Sequence, residues 1–154
     1  MKKRQKKRIL KWFALLIIIC GVSIGIKYVF FPDENEKIRK TISLAVSEIE
    51  KKDINSFIRH FTLDYRDCFD NTYGTLYILL RNNIDSIRTI DIDISQIEID
   101  IEKSNATVRF FATFYIKTTD GEDYKDAGRF ILKIRKEDLK WRVYRLDEMG
   151  YEFD

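Results

Sequence analysis

The feature that most constrains the fold is a two-residue period that begins near Ile87. Isoleucines alternate with acidic residues at positions 90, 92 and 94, and again at positions 97, 99 and 101. Such alternation is typical of a strand with one buried and one solvated face. The apolar phase changes from even to odd positions across Ser95-Gln96, which predicts a bulge or bend there. The chain is therefore expected to contain a long, half-buried, kinked strand.

More strands follow towards the C-terminus. Ser104-Asn105 predicts a turn into a strand over residues 106–117, whose apolar side chains fall at every second position. Asp120-Gly121 is a strong hairpin signal. A further turn is predicted at residues 136–138. The strand residues on either side of it are Phe130, Leu132, Ile134, Trp141, Val143 and Tyr144. The pattern predicts an antiparallel meander.

Helical spacing precedes the strands. Asp33, with Glu36 three residues later, predicts a helix start. Asp53 is predicted to cap a second, short helix that extends to Phe61. A third apolar stretch, residues 76–80, favours a helix, although a strand remains open. Because the predicted helices precede the predicted meander along the chain, we expect an α+β domain with one sheet covered by helices.

The first 31 residues predict a membrane anchor. Six basic residues between positions 2 and 8 precede the apolar run 9–31, whose only charges are Lys11 and Lys27. A helix of that length measures about 34 Å, enough for a bilayer core of about 30 Å. The basic flank then predicts a cytoplasmic tail (1–8), a transmembrane helix (9–31) and an extracytoplasmic domain (32–154). The protein is expected in the cell membrane with a single span.

Three sequence features bear on whether the anchor is cleaved and whether it pairs with another helix. The flank after Gly25 offers no Ala-x-Ala cleavage site, which favours an anchor that is not removed. A lipoprotein with Cys20 as its mature N-terminus stays open, but the preceding Ile19 is larger than the residue usual there. Gly21 and Gly25 form a Gly-x-x-x-Gly spacing that lets two membrane helices pair closely.

The charge distribution argues against nucleic-acid binding. Eight of the 28 Lys and Arg residues lie in residues 1–31, which leaves 20 basic against 25 acidic side chains in residues 32–154. The net charge of +3 therefore belongs to the membrane flank, where it faces anionic lipid. Cys68 is the only cysteine after the predicted span, so it is predicted to be a buried free thiol without an intradomain disulfide.

Residues that could carry catalysis or bind metal are sparse. His60, the only histidine, is predicted to be a surface or partly satisfied side chain rather than a base or ligand. Asp91, Asp93 and Glu102 imitate a calcium loop, but Gln96 stands where its sharp turn needs Gly, so a strand is favoured. Asp64, Asp67 and Asp70, spaced by three, predict an exposed helical face. No catalytic residue, metal or cofactor is predicted.

Three segments together resemble the nuclear-transport-factor-2-like superfamily, also called the cystatin-like cone fold. They are the helix–helix junction 50–57, the long paired strands around Asp120-Gly121 and the final strand 139–143. The resemblance covers about residues 36–148 and implies helices packed on a curved antiparallel sheet. Leu139 stands where members commonly have Gly.

The resemblance implies two sorts of function. Members such as ketosteroid isomerases and polyketide cyclases use an Asp base with a Tyr or acid donor inside the cone. Asp64, Tyr65 and Tyr77 are the nearest candidates by type, but a solvated carboxylate and half-buried tyrosines are favoured. An open cone would be lined by four aromatic candidates: Phe61, Tyr65, Phe114 and Trp141.

The leading expectation is a non-enzymatic, single-pass membrane protein that presents a cone-fold binding or assembly module. Its architecture resembles the inner-membrane scaffold subunit of bacterial type IV secretion systems. Cone-fold proteins often dimerise through the outer sheet face, and Phe111 and Tyr115 lie opposite the Phe110 and Phe114 set. A homodimer or an envelope-complex partner is therefore expected. The alternative is a small-molecule binder or enzyme that uses the cone pocket.

Overall fold

The computed structural model describes the backbone of residues 33–151 and the side chains as far as Asp147. Backbone contacts divide the chain into two units, Met1–Lys37 and Ile38–Asp154. Of the first unit, residues 33–37 are described, and they contain the start of the first helix. The predicted tail 1–8, the span 9–31, and Gly21 and Gly25 within it lie outside the described residues. Within residues 33–151 no helix has the length and apolar character needed to cross a membrane.

The order of elements agrees with the sequence pattern, with one additional strand. The helices are α1 (Glu34–Glu50), α2 (Ile54–Phe57) and α3 (Tyr73–Asn83), with 3-10 turns at Ile58–His60 and Ile84–Ser86. The strands are β1 (Phe61–Asp67), β2 (Ile87–Glu102), β3 (Asn105–Thr118), β4 (Asp123–Glu137) and β5 (Lys140–Tyr151). Asp53 caps α2 as predicted, since its carboxylate accepts a hydrogen bond from the Ser56 amide at 3.0 Å.

The additional strand, β1, corrects the prediction for this region. The second helix is shorter than predicted and gives way to β1 at Phe61. Asp64 and Asp67 therefore lie on a strand, and Asp70 lies in the loop after it, rather than on one helical face. The register of β1 with β5 shifts within the strand, so its burial follows no regular period. That irregularity explains why the sequence pattern does not reveal it.

The strands form a single five-stranded sheet in the order β1-β5-β4-β3-β2. β2 to β5 make the predicted antiparallel meander, whereas β1 pairs in parallel with β5, so the sheet is mixed. The predicted bulge is confirmed, because the register of β2 shifts between Ser95 and Glu98 and Gln96 has a φ of 54°. The hairpin signal is confirmed too, with Gly121 at a φ of 94° between β3 and β4.

Strand β3 defines two faces of the sheet. The core face carries Ala106, Val108, Phe110, Ala112 and Phe114, and the outer face carries Thr107, Arg109, Phe111, Thr113 and Tyr115. Helix α1 covers the core face, where Ile38 and Ile42 are buried with Val108 and Trp141. Leu76 of α3 packs against the same cluster. The structure is thus an α+β domain with helices on one side of a curved sheet.

Side chains of α1 and of the segment just after it also bind the free edge of β2. The Arg39 guanidinium donates to the carbonyl of Ile97 at 3.3 Å, and the Ile92 amide donates to the Glu50 carboxylate at 2.9 Å. Lys52, two residues beyond the helix, donates to the carbonyl of Ile87 at 2.5 Å. Helix α1 and its C-terminal flank therefore occupy backbone groups that an edge strand leaves unpaired.

The turn between β4 and β5 sets which residues of β5 face the core. Its two central residues, Asp138 and Leu139, have φ values of 47° and 65°. Positive φ at both positions is typical of the tight hairpin turns that match strand twist. Leu139 is 85% exposed, so its side chain gains little from packing at a position that Gly would occupy without steric cost.

Candidate functional site

The four aromatic side chains predicted to line the cone are parts of one packed cluster. Tyr65 and Trp141 are each only 3% exposed, and Phe61 and Phe114 pack against the same core. The ring centroids of Phe61 and Tyr65 are 4.9 Å apart, and the Phe114 ring lies 5.6 Å from that of Phe130. Phe61 and Tyr65 therefore contact each other, and Phe114 contacts Phe130, within the core-face cluster.

The three residues closest in type to a catalytic set lie in different surroundings. Burial, and secondarily the charge of Asp67, raises the pKa of the Tyr65 phenol above its ordinary value. Asp64 is exposed and accepts two hydrogen bonds from Arg135, at 3.0 and 2.7 Å, which lower the pKa of its carboxyl group. The Tyr77 hydroxyl donates to the side chain of Asn55 at 3.2 Å. Tyr65 therefore lies in the core while Asp64 pairs with a guanidinium outside it.

His60 and Cys68 also lie in different surroundings. The Nε2 atom of His60 lies 2.7 Å from the Glu48 carboxylate in a half-buried position, which confirms the predicted partly satisfied side chain. Cys68 is exposed, so the predicted buried thiol is wrong. It lies in a tight loop that Asp67 stabilises by accepting hydrogen bonds from the following backbone.

Among the described side chains, no three His, Cys, Asp or Glu residues lie close enough together to hold a metal ion.

A cleft of about 290 Å³ lies where β2, β3 and β4 run side by side. We call it the outer-face cleft. Its lining residues are Gln96, Glu98, Arg109, Phe110, Phe111, Arg129, Phe130 and Ile131. None of the four predicted cone residues is among them.

The bulge in β2 accounts for the position of this cleft. Ser95 pairs with Phe111 and Glu98 pairs with Arg109, so two residues of β2 face the single position Phe110 between them. An extra residue of this kind bends the strand and redirects its side chains, and bulges are common beside functional sites. The outer-face cleft is therefore centred on an irregularity that the sequence itself predicts.

The register of β3 and β4 places charged and apolar residues alternately within the outer-face cleft. Arg109 pairs with Ile131, and Phe111 pairs with Arg129. The two arginines therefore occupy one diagonal of a four-residue block, and Phe111 and Ile131 occupy the other. Diagonal neighbours of an antiparallel pair are about 7–8 Å apart, within reach of long side chains. Both arginines therefore lie on the same face of the sheet as Phe111 and Ile131.

The remainder of the outer face is also polar and aromatic. Arg135 donates to the carboxylates of Asp64 and Glu137, which raise the pKa of its guanidinium, and it lies 5.3 Å from the ring centroid of Tyr144. Lys133 donates to the Thr107 hydroxyl at 3.0 Å. These contacts join β1, β3, β4 and β5 at the side of the sheet away from the helices.

Sequence reasoning did not identify the arginines of the outer-face cleft. The available signal was the polar phase of β3 and β4, in which Arg109 with Phe111 and Arg129 with Ile131 repeat the same basic-then-apolar order. Their pairing depends on the register between strands some twenty residues apart in sequence, and periodicity within one strand does not specify that register. Combined with the predicted bulge, the repeated pattern would have marked the region.

Comparisons with known proteins identify the fold. No protein-family model matches the chain, and no curated protein sequence matches it. Solved structures do match. One is a provisionally named scytalone dehydratase from Novosphingobium aromaticivorans, with a TM-score of 0.71 and 17% identity over 79% of this chain and 89% of that one.

Two further matches agree with it. A provisionally named aromatic ring hydroxylase from the same organism has a TM-score of 0.69 and 15% identity, over 76% of this chain and 87% of that one. A protein of unknown function with a cystatin-like fold from Nostoc punctiforme has a TM-score of 0.61 and 13% identity, over 77% and 91%. The chain therefore has the cystatin-like, or nuclear-transport-factor-2-like, cone fold that its sequence resembles. At these identities the similarity shows the fold alone.

Proposed function

We propose that the chain is a single-pass membrane protein that presents its cone-fold domain outside the cytoplasm as a binding and assembly module. The partner is a second copy or a protein of an envelope complex similar to a secretion-system scaffold, and it binds the outer face of the sheet. The observation that supports this proposal is the contrast between the faces. The core face is packed, whereas the outer face presents half-exposed Phe111, Ile131 and Tyr115 among basic side chains.

The separation of the acid–base candidates supports binding rather than catalysis. A general base must lie within hydrogen-bond reach of the proton it removes, in a site that also holds the donor. Asp64 is engaged by Arg135 on the outer face, and Tyr65 is buried in the core with a raised pKa. Asp64 and Tyr65 are successive residues of β1, and successive residues of a strand face opposite sides of a sheet.

The membrane topology rests on residues 1–31 and can be tested through Cys68. Because its thiol is exposed, a membrane-impermeant maleimide added to intact cells should label the chain, and Cys68→Ser should abolish the labelling. The chain should also stay in membranes washed with alkaline carbonate. Labelling only after lysis would contradict the orientation, and an intact mass that lacks residues 1–19 but includes lipid would contradict the uncleaved anchor.

The binding surface can be tested by photocrosslinking in native membranes. A benzophenone amino acid replaces Tyr115, which is 38% exposed on the outer face. The matched control replaces Phe69, an exposed aromatic residue in the loop after β1. Crosslinks to protein should form at position 115 and be much weaker at position 69. Equal adducts at both positions, or only uncrosslinked monomer at 115, would reject this surface.

The alternative is a small-molecule binder or an enzyme of the polyketide cyclase or ketosteroid isomerase type that uses the cone pocket. The names of the two Novosphingobium structures favour it. In that case Tyr65→Phe, which removes a hydroxyl within the core cluster, should abolish ligand binding or turnover while the crosslinks at position 115 persist. Crosslinks at position 115, together with no effect of Tyr65→Phe on ligand binding or turnover, favour the assembly module.

A further inference from the structure

We propose that helix α3 and the loop before it rest on the surface of the lipid bilayer. The inference rests on the proposed membrane anchor, and it adds a second point at which the domain contacts the membrane. Three exposed apolar side chains define this contact, which we call the α3 surface: Phe69, Ile78 and Leu79.

Helix α3 has apolar side chains on all sides of its middle part. Positions 76–80 carry an unbroken run of aliphatic and aromatic residues, and five consecutive positions exceed one helical turn of about 3.6 residues. Leu76 packs against the core cluster, whereas Ile78 and Leu79 are 57% and 49% exposed. No residue of α3 is fully buried. Because a helix with apolar residues all round is normally covered on every side, the exposed side of α3 is expected to have a partner.

The loop between β1 and α3 holds Phe69 in a fixed, exposed position. The Asp67 carboxylate accepts hydrogen bonds from the amides of Phe69 and Asn71, at 2.9 and 2.8 Å, and from the Asn71 side chain at 3.0 Å. Phe69 is 58% exposed. Because the loop is already ordered, burial of this ring costs little additional conformational entropy. Asp70 is exposed beside it, and its carboxylate limits the contact to the headgroup region.

The charge of α3 fits a lipid surface. The helix contains no Asp or Glu, and its single charged side chain is Arg81. This guanidinium donates to the Tyr77 hydroxyl at 2.8 Å and lies 6.0 Å from the centroid of the same ring. Tyrosine and arginine both suit a membrane interface, where a polar tip faces the headgroups and the body of the side chain stays in apolar surroundings. Helix α1, by comparison, carries four glutamates.

The short connection to the predicted span makes even a weak contact effective. The apolar run ends at Phe31 and α1 begins at Glu34, so three residue steps of at most about 3.6 Å each separate them. A tether of this length keeps the domain beside the bilayer at an effective concentration of about millimolar. Burial of the three side chains of the α3 surface therefore needs little further loss of translational freedom.

The experiment places a fluorescent probe on Cys68, the residue before Phe69, whose thiol is exposed. The full chain carries Cys20→Ser, which leaves Cys68 as its only cysteine. It is labelled with a nitrobenzoxadiazole group and reconstituted in vesicles of phosphatidylcholine and phosphatidylglycerol. Lipids with a nitroxide near the headgroup quench a probe that lies at the interface, and this quenching is the measurement.

The control probe is attached to Asp100→Cys in a background that carries Cys20→Ser and Cys68→Ser. Asp100 is exposed and pairs with Thr107, so it lies on the outer face of the sheet, away from the helices. Quenching should be at least about twofold stronger at position 68 than at position 100, because an interfacial contact is only about 5–10 Å deep.

Variants of the α3 surface test its part in the contact. Ile78→Gln and Leu79→Gln together should reduce the quenching at position 68 by about half or more, because buried apolar area sets the strength of interfacial binding. The matched control is Leu44→Gln, which removes a 44% exposed leucine from α1 and should leave the quenching unchanged. Circular dichroism establishes that each variant is folded.

Equal quenching at positions 68 and 100, or an equal loss in Leu44→Gln, would overturn the contact. A probe at position 68 that is shielded from aqueous iodide but not quenched by the nitroxide lipid would also overturn it, since a protein then covers the surface. These outcomes leave the anchor intact if the chain resists extraction by alkaline carbonate. Release of the chain by carbonate would overturn the anchor and this inference together.

Discussion

The two faces of the same sheet differ in what holds their side chains. On the core face, Val108 and Phe130 are buried in a cluster that includes the Ile38 and Ile42 side chains of α1. On the outer face, one residue along each strand, Arg109 and Arg129 are exposed and flank a cleft. A shift of one residue would exchange the two sets completely. The comparison teaches that alternation within one strand places neighbouring residues in a packed cluster and on an exposed face.

The most direct way to break this comparison is to truncate one phenylalanine on each face. Phe130 is stacked on Phe110, with ring centroids 5.5 Å apart, and it also contacts Phe114. Phe130→Ala should cost about 3–5 kcal/mol of the free energy of unfolding, because it leaves a cavity in the core. Phe111→Ala, on the half-buried outer face, should cost about 1 kcal/mol. Urea unfolding of the detergent-solubilised chain, followed by circular dichroism, measures both, and equal losses would contradict the division of roles.

The second prediction concerns the turn between β4 and β5, which sets which residues of β5 face the core. Leu139→Gly should stabilise the protein by about 1 kcal/mol, because a left-handed backbone costs about 1–2 kcal/mol in an L-residue and Gly loses part of that gain through unfolded-state entropy. Leu139→Ala is the matched control, since it retains the Cβ atom and should give no gain. Urea midpoints measure both changes. A gain of the same size in the Ala variant would mean that loss of the exposed side chain, and not relief of the backbone, is responsible.

The smallest effect is expected for the ion pair on the outer face. Arg135 lowers the pKa of Asp64 in the folded state, so the pair stabilises the fold above the ordinary carboxyl pKa of about 3.9. That contribution is lost as the pH falls through the lower folded pKa. Because Asp64 is exposed, Asp64→Asn should cost less than about 1 kcal/mol at neutral pH. The loss of unfolding free energy in the Asp64→Asn variant should be smaller at acid pH, as measured by urea titration.

The control for this prediction is the Arg135→Met background. In that background the cation is already absent, so the pH-dependent effect of Asp64→Asn on the urea midpoint should be much smaller than in the wild-type background. A deficit that is undiminished at pH 2.5, or undiminished in the Arg135→Met background, would show that the pair is not its cause.

The sequence predicted the meander well for a physical reason. In β2 and β3 the period of two is nearly perfect, and the shift of phase at Ser95-Gln96 located a bulge that the structure contains. Local sequence was sufficient there because one face of each strand is buried and the turns carry their own signals. The α3 helix was predicted from its apolar run alone, and it is present although none of its residues is fully buried.

The strand β1 and the outer-face cleft could not be predicted in the same way. β1 is stabilised by parallel pairing with β5, a strand about eighty residues later, and its own residues carry no clear period. The cleft depends on Arg109 lying beside Ile131 and Phe111 beside Arg129. These neighbour relations depend on the register between β3 and β4 and not on composition. The predicted cone residues Tyr65 and Trp141 are buried in the core cluster, and aromatic type alone does not distinguish a packed core from a pocket.

Hydrogen bonds connect the edge of β2 to α1 and to the segment that follows α1. They affect how copies of the domain can assemble. A sixteen-residue strand with an open edge would be a template for sheet growth from one molecule to the next. Arg39, Glu50 and Lys52 already engage backbone groups along that edge. Continuation of the sheet from one molecule to the next is therefore disfavoured at the β2 edge.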